Sequence, residues 1–287
     1  MKKILITGSN GQLGNSIKKL EDKYKSSQFV YTDVAQLDIT KQKEVLDFVA
    51  QGKFTHIVNC AAYTAVDKAE EEFELAKKIN AIGPANLALA AKEQKALFVH
   101  VSTDYVFDGK AHRPYVESDL AQPPSAYGKS KLLGEEMVLE AAKGALIIRT
   151  SWLYSEFGNN FLKTMIKYGK EREELRVVFD QIGTPTYAGD LAEAILQVIH
   201  SDNTKRENQI YHYSNEGVVS WYDFAQEIMI ATNIPCKISP ILSAEYPLPA
   251  PRPFYSVLDK AKLKKDFSLE IPYWKEAMMR CLEALEK

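Results

Sequence analysis

The sequence predicts an α/β protein: a doubly wound parallel sheet of Rossmann type with a smaller, mixed C-terminal lobe. Three observations predict it. Short apolar runs alternate with stretches of helical period through the first half of the chain. The first run ends in a glycine-rich turn that opens a helix, and prolines gather late, at Pro240, Pro247, Pro249, Pro251 and Pro253.

The apolar runs at 3–7, 28–32, 56–59, 97–101 and 145–149 are the strands. They are too continuously apolar to alternate, as expected of strands covered on both faces. Between them, residues 40–50 place Val45, Leu46 and Val49 on one helical face, and 84–95 is rich in Ala and Leu. Residues 176–180 read as a further strand of the main sheet. A strand-like run at 210–214 precedes a helix at 221–231. This divides the chain at a soft boundary. Residues 1–150 form a dinucleotide-binding core, and 151–287 are mainly a substrate-binding lobe with segments returning to the core.

Bulk properties narrow the function. The 287 residues are 46% hydrophobic and 26% charged, with a formal net charge of -2. A near-neutral balance argues against a nucleic-acid partner but not against a small anionic ligand. Cys60, Cys236 and Cys281 form no CxxC pair, and the five histidines form no metal-ligand spacing. The apolar start is broken by Thr7-Gly8-Ser9-Asn10, too soon for a secretory signal, and no segment approaches a membrane span. The expectation is a cytoplasmic protein with reduced thiols and no bound metal.

Gly8, Gly11, Gln12, Leu13 and Gly14 lie where a first strand turns into a helix. Such a turn brings backbone N–H groups close to a diphosphate, although a glycine turn alone also serves as a plain strand-to-helix connection. Asp33 ends the second strand, where a carboxylate accepts the ribose hydroxyls of NAD and repels the extra phosphate of NADP. Asp38 and Ile39 border the adenine, or Asp38 caps a turn.

Tyr127 and Lys131 are four apart and share one helix face. A neighbouring ammonium favours the phenolate, and a drop of about three pKa units corresponds to roughly 4 kcal/mol. The alternative is an amphipathic helix with a packed tyrosine and a solvated lysine. Thr103 falls at the carboxyl end of the fourth strand, where open α/β sheets keep their ligand crevice, and its hydroxyl can steady a developing alkoxide.

Together the glycine turn, Asn59-Cys60-Ala61-Ala62, Ser102-Thr103-Asp104, Tyr127 and Lys131 resemble the extended short-chain dehydrogenase/reductase superfamily. More narrowly, the chain resembles the dTDP-4-dehydrorhamnose reductase family. The resemblance lies in residues 61–70, 102–107, 149–152, 158–161 and 180–186 and in Arg252-Pro253. It spans nearly the whole chain. It implies reduction of a C4 ketone on a dTDP-linked sugar by NADH or NADPH, with Asp33 tilting the preference toward NADH. It also implies roles. Tyr127 is the proton donor, and Lys131 holds the nicotinamide ribose. Thr103, Asp104 and Trp152 contact the sugar. Ala62, Tyr63 and Thr64 line the cofactor, where relatives often carry His at the Tyr63 position.

Some members of that family dimerise through a metal held by acidic side chains. That acidic set is not legible here, so no metal is expected, and a homodimer remains open. Trp152 reads as a sugar contact or as core; Arg252 reads as a diphosphate clamp or as a solvated side chain. Asn80 is expected to fix backbone beneath the site, Cys60 to fill space and His100 to be a core residue. Two other functions stay open. One is a non-catalytic NAD(P)-binding regulatory subunit, like that of methionine adenosyltransferase. The other is a different sugar-nucleotide reductase or epimerase.

Overall fold

A computed structural model describes residues 1–203 and 207–286. The chain begins β1 (Lys2–Thr7), α1 (Gln12–Lys19), β2 (Ser27–Thr32), α2 (Gln42–Gly52), β3 (His56–Asn59), α3 (Phe73–Lys77), α4 (Gly83–Gln94), β4 (Leu97–Thr103), α5 (Ala126–Ala141) and β5 (Leu146–Thr150). It continues with β6 (Leu153–Tyr154), α6 (Phe161–Glu171), β7 (Glu174–Val178), β8 (Ile182–Gly183), β9 (Thr186–Tyr187), α7 (Ala188–His200) and β10 (Gln209–His212). It closes with β11 (Val219–Ser220), α8 (Trp221–Thr232), β12 (Lys237–Ile241), α9 (Ala261–Phe267) and α10 (Trp274–Leu285).

The main sheet has six parallel strands in the order β10-β5-β4-β3-β1-β2. Strand order reverses between β1 and β3, so their carboxyl ends open a crevice. Alternate residues of β1 show why the sheet is covered on both sides. Ile4 and Ile6 pack with α1 and α7, whereas Leu5 packs with α2 and α4. All are fully buried. No helix among the described residues is long and apolar enough to cross a membrane.

One expectation fails. Residues 176–180 do not join the main sheet; β7 pairs in parallel with β12 in a separate two-stranded sheet. The pattern along β7 gives the reason. Glu174 and Arg176 are exposed while Leu175 and Val177 are buried. A strand within a sheet covered on both faces would desolvate those charges without compensation. The sixth strand is instead β10, whose Tyr211 is fully buried in the core between the sheet and α7. A second core, built on Tyr154, Phe224, Ile228, Trp274 and Met278, binds α6, α8 and α10 around the small sheets.

Candidate active site

The glycine turn sits at the switch point. Gly8 has φ +64, and a Cβ there would meet the Ala61 backbone nitrogen at 2.5 Å, so only glycine lets β1's exit touch the loop after β3. A Cβ on Gly11 would meet only the Gly8 carbonyl oxygen, at 3.3 Å, so its Cα faces open space. Gly11 caps α1 with no side-chain hydrogen bond, and the first turn has no acidic residue. Uncapped N–H groups beside an open backbone fit the diphosphate of a dinucleotide. Leu13 is buried in the core, so only its backbone faces the turn. Gln12 reaches the lobe: its Oε1 accepts hydrogen bonds from Ser155 Oγ and Asn160 Nδ2, both at 3.0 Å.

The residues expected at an adenosine end are less open. Asp33 accepts N–H hydrogen bonds from Asn10 (3.0 Å) and Val34 (2.8 Å), tying its carboxylate to the turn. Asp38 accepts from Thr40 N (3.0 Å) and Oγ1 (2.7 Å). These bonds hold its pKa below the usual carboxylate value, so it closes a turn. Ile39 is buried against Gly83.

Asn80 holds the loop that carries Ala62, Tyr63 and Thr64. It lies in a π-helical turn, Lys78–Ile82, between α3 and α4. Its Oδ1 accepts from Tyr63 N (2.8 Å), and its Nδ2 donates to Tyr63 O and Ser130 Oγ, both at 3.0 Å. One buried amide therefore joins the loop to α5, as expected of it. Asn59 ties the start of that loop to β1, accepting from Thr7 Oγ1 (2.7 Å) and Ala61 N (3.1 Å). His100 pairs with Asn59 Nδ2 at 3.0 Å and is fully buried. Burial lowers its pKa well below the usual value, which keeps it a neutral core residue.

Ser125 caps α5 by accepting from Gly128 N, and the first two turns present Tyr127 and Lys131. Tyr127 is 9% exposed and meets the Tyr105 ring edge-on at 5.5 Å. Burial pushes its pKa up to about 12; the nearby Thr103 hydroxyl works against the rise and the Asp104 charge adds to it. The expected lowering by Lys131 is not found. The Lys131 ammonium donates to the Val101 carbonyl at 2.8 Å, and burial lowers its own pKa to about 8. Tyr127 is thus a protonated phenol, the form a proton donor needs.

Thr103 has its single hydroxyl proton committed to Asp104 Oδ1 (3.0 Å), while its oxygen accepts from Tyr105 N (3.2 Å). Asp104 is 2% exposed, and burial raises its carboxyl to about 6. Its Oδ2 has no hydrogen-bond partner among the described residues.

The lobe supplies a cavity of about 810 Å³ whose wall includes Phe161, Tyr168, Gln181, Trp221, Tyr105 and Arg252. Trp152 does not line it. It takes φ +47 and stacks on Trp221 at 3.5 Å and 8°. Arg252 is not free in solvent: its Nη2 donates to Asp67 Oδ2 at 2.7 Å. Thr103 adjoins Tyr127, Lys131 one turn along α5 reaches Val101 on the strand that ends in Thr103, and Tyr105 packs on Tyr127 and lines the cavity. Sequence reasoning missed Tyr105, Trp221 and Tyr168. Trp221 read only as a helix start; its one signal was an aromatic side chain directly after the Ser220 cap.

With a glycine turn at the switch point and Tyr127 one helical turn from Lys131, the chain falls in the short-chain dehydrogenase/reductase class. Comparison with known proteins narrows this. The family model described as the RmlD substrate binding domain matches residues 1–287. The chain belongs to that family. A dTDP-4-dehydrorhamnose reductase from Aggregatibacter actinomycetemcomitans is 41% identical, covering 97% of both chains. A crystal structure of a dTDP-4-dehydrorhamnose reductase ortholog from Clostridium acetobutylicum is 48% identical, with TM-score 0.94, covering 99% of this chain and 100% of that one. The Bacillus anthracis dTDP-4-dehydrorhamnose reductase, solved in complex with NADP, is 41% identical with TM-score 0.94 and the same coverage.

Proposed function

We propose that this chain reduces the C4 ketone of dTDP-4-dehydro-L-rhamnose to dTDP-L-rhamnose, using NAD(P)H and Tyr127 as proton donor. The observation that carries the reading is the buried, protonated phenol of Tyr127 beside Thr103 and Asp104, in a chain about two-fifths identical to reductases of that name. The backbone of Gly8, Gly11, Gln12 and Leu13 holds the cofactor diphosphate. Asp33 and the turn that Asp38 closes beside Ile39 border its adenosine half, and Ala62, Tyr63 and Thr64 line it. When bound, the cofactor supplies a hydride to the sugar carbonyl carbon.

The chain's own part is acid catalysis and positioning. Tyr127 gives its proton to the C4 oxygen as negative charge develops there. Thr103 turns its hydroxyl from Asp104 to the same oxygen, and Asp104 takes a sugar hydroxyl in its place. Lys131 holds the nicotinamide ribose with its ammonium. Trp152 flanks the sugar, Arg252 holds the nucleotide diphosphate, and the aromatic cavity takes the base. Asp33 gives NADH a slight advantage over NADPH; the NADP complex of the relative supports use of NADPH as well.

The test is net consumption of reduced cofactor on adding dTDP-4-dehydro-L-rhamnose, NADH against NADPH. Stoichiometric oxidation of either supports the reading. Cofactor binding without turnover points to a regulatory subunit, and product formation without net oxidation points to an epimerase.

A further inference from the structure

Asp67 joins the two halves of the site. It lies three residues beyond Thr64, on the loop read as lining the cofactor. Its Oδ2 accepts from Arg252 Nη2 at 2.7 Å, and its Oδ1 accepts from Ala250 N at 3.1 Å. Arg252 Nη1 also donates to Ala250 O at 3.2 Å, which closes a ring of hydrogen bonds around the guanidinium. The Arg252 side chain is 16% exposed, and it lines the cavity beside Tyr105, whose ring abuts Tyr127.

An arginine side chain free to rotate loses much entropy when it clamps an anion; one already oriented loses less. A carboxylate that takes one edge of the guanidinium leaves other N–H groups to point elsewhere.

We infer that Asp67 is a positioning residue: it presents Arg252 to the diphosphate of a nucleoside diphosphate and ties that subsite to the cofactor loop. The inference rests on the nucleotide-sugar reading of the cavity. Asp67 acts through Arg252, since its own carboxylate would repel the diphosphate.

The experiment is calorimetric titration of dTDP and, separately, NADPH into the full chain, with Asp67→Asn, Arg252→Gln and the double variant. Each single variant weakens dTDP about tenfold, within the range of coupling found between contacting charged groups. The double variant is no weaker than the poorer single, and NADPH affinity stays as in wild type. In turnover, KM for the sugar nucleotide rises more than kcat falls, and Asp67→Glu recovers part of the loss. Unchanged dTDP affinity in Asp67→Asn overturns the assignment, as do losses that multiply in the double variant, or a wild type that does not bind dTDP. Wild-type turnover, measured alongside, tests the reductase reading separately.

Discussion

Tyr127 and Lys131 are buried to a similar degree, and burial moves them in opposite directions. It penalises the phenolate and the ammonium alike, so the phenol rises to about 12 and the ammonium falls to about 8. Lys131 is therefore charged below about pH 8 and neutral above it, and turnover falls as pH rises through that value. A pH–rate profile of wild type against Lys131→Arg checks this: the arginine variant, charged throughout, loses the alkaline limb, and an unchanged limb would assign it elsewhere. Thr103→Val removes the hydroxyl between Tyr127 and Asp104. Its kcat falls about 10²-fold while Thr103→Ser keeps most activity, the loss expected for one oxyanion donor. The spacing of Tyr127 and Lys131 and the strand-end place of Thr103 were legible in the sequence. The direction of the phenol's shift was not, because it depends on burial and on Asp104, and no residue pattern reveals how dry a site is.

Helix α5 is the element that sets the site, and it does so by backbone contact. A Cβ on Gly134 would meet the Asn80 carbonyl oxygen at 2.0 Å. Gly134→Ala thus forces α5 away from the π turn that holds the Tyr63 loop. The variant loses cofactor affinity and turnover together, and its thermal midpoint falls, as read by cofactor titration and a melt. One turn below Lys131, Glu135 receives Arg149 Nε at 2.9 Å and Nη2 at 2.6 Å, with side chains 2% and 4% exposed. Glu135→Ala leaves that guanidinium buried without its partner and costs about 3–5 kcal/mol in denaturant unfolding; a change below about 1 kcal/mol would show that water replaces the carboxylate. The central strands were legible because continuous apolar runs mark strands covered on both faces. Strand β7 was misplaced because its alternation marks a sheet open on one face, a distinction lost when Val177, Val178 and Phe179 are read as one run.

Across the whole molecule, two buried histidines and the half-buried His56 set the response to acid. Burial lowers His56 to about 4, His212 to about 3 and His100 well below 6.5. Unfolding returns each to its ordinary value, so the unfolded chain binds more protons and stability falls as pH drops below about 6.5. Asp104, raised to about 6, opposes this, because its buried charge is relieved as pH falls through that value. Glu117, also raised by burial, opposes it in the same sense. Three histidines outweigh these two carboxyls: the urea midpoint at about pH 5.5 lies below that at about pH 7.5. His212→Gln narrows the gap; a midpoint that rises in acid would contradict the account. At this scale the half that builds the main sheet was largely legible, because each strand and turn carries its own local signal. The lobe was not: its cavity is assembled from Tyr105, Phe161, Trp221 and Arg252, which are far apart in sequence and meet only through the fold. The most direct test of the central claim is kcat of Tyr127→Phe with the dehydro-sugar nucleotide, measured beside its cofactor affinity. The account predicts a loss of at least about 10²-fold with cofactor affinity nearly kept; wild-type turnover without that hydroxyl would contradict it.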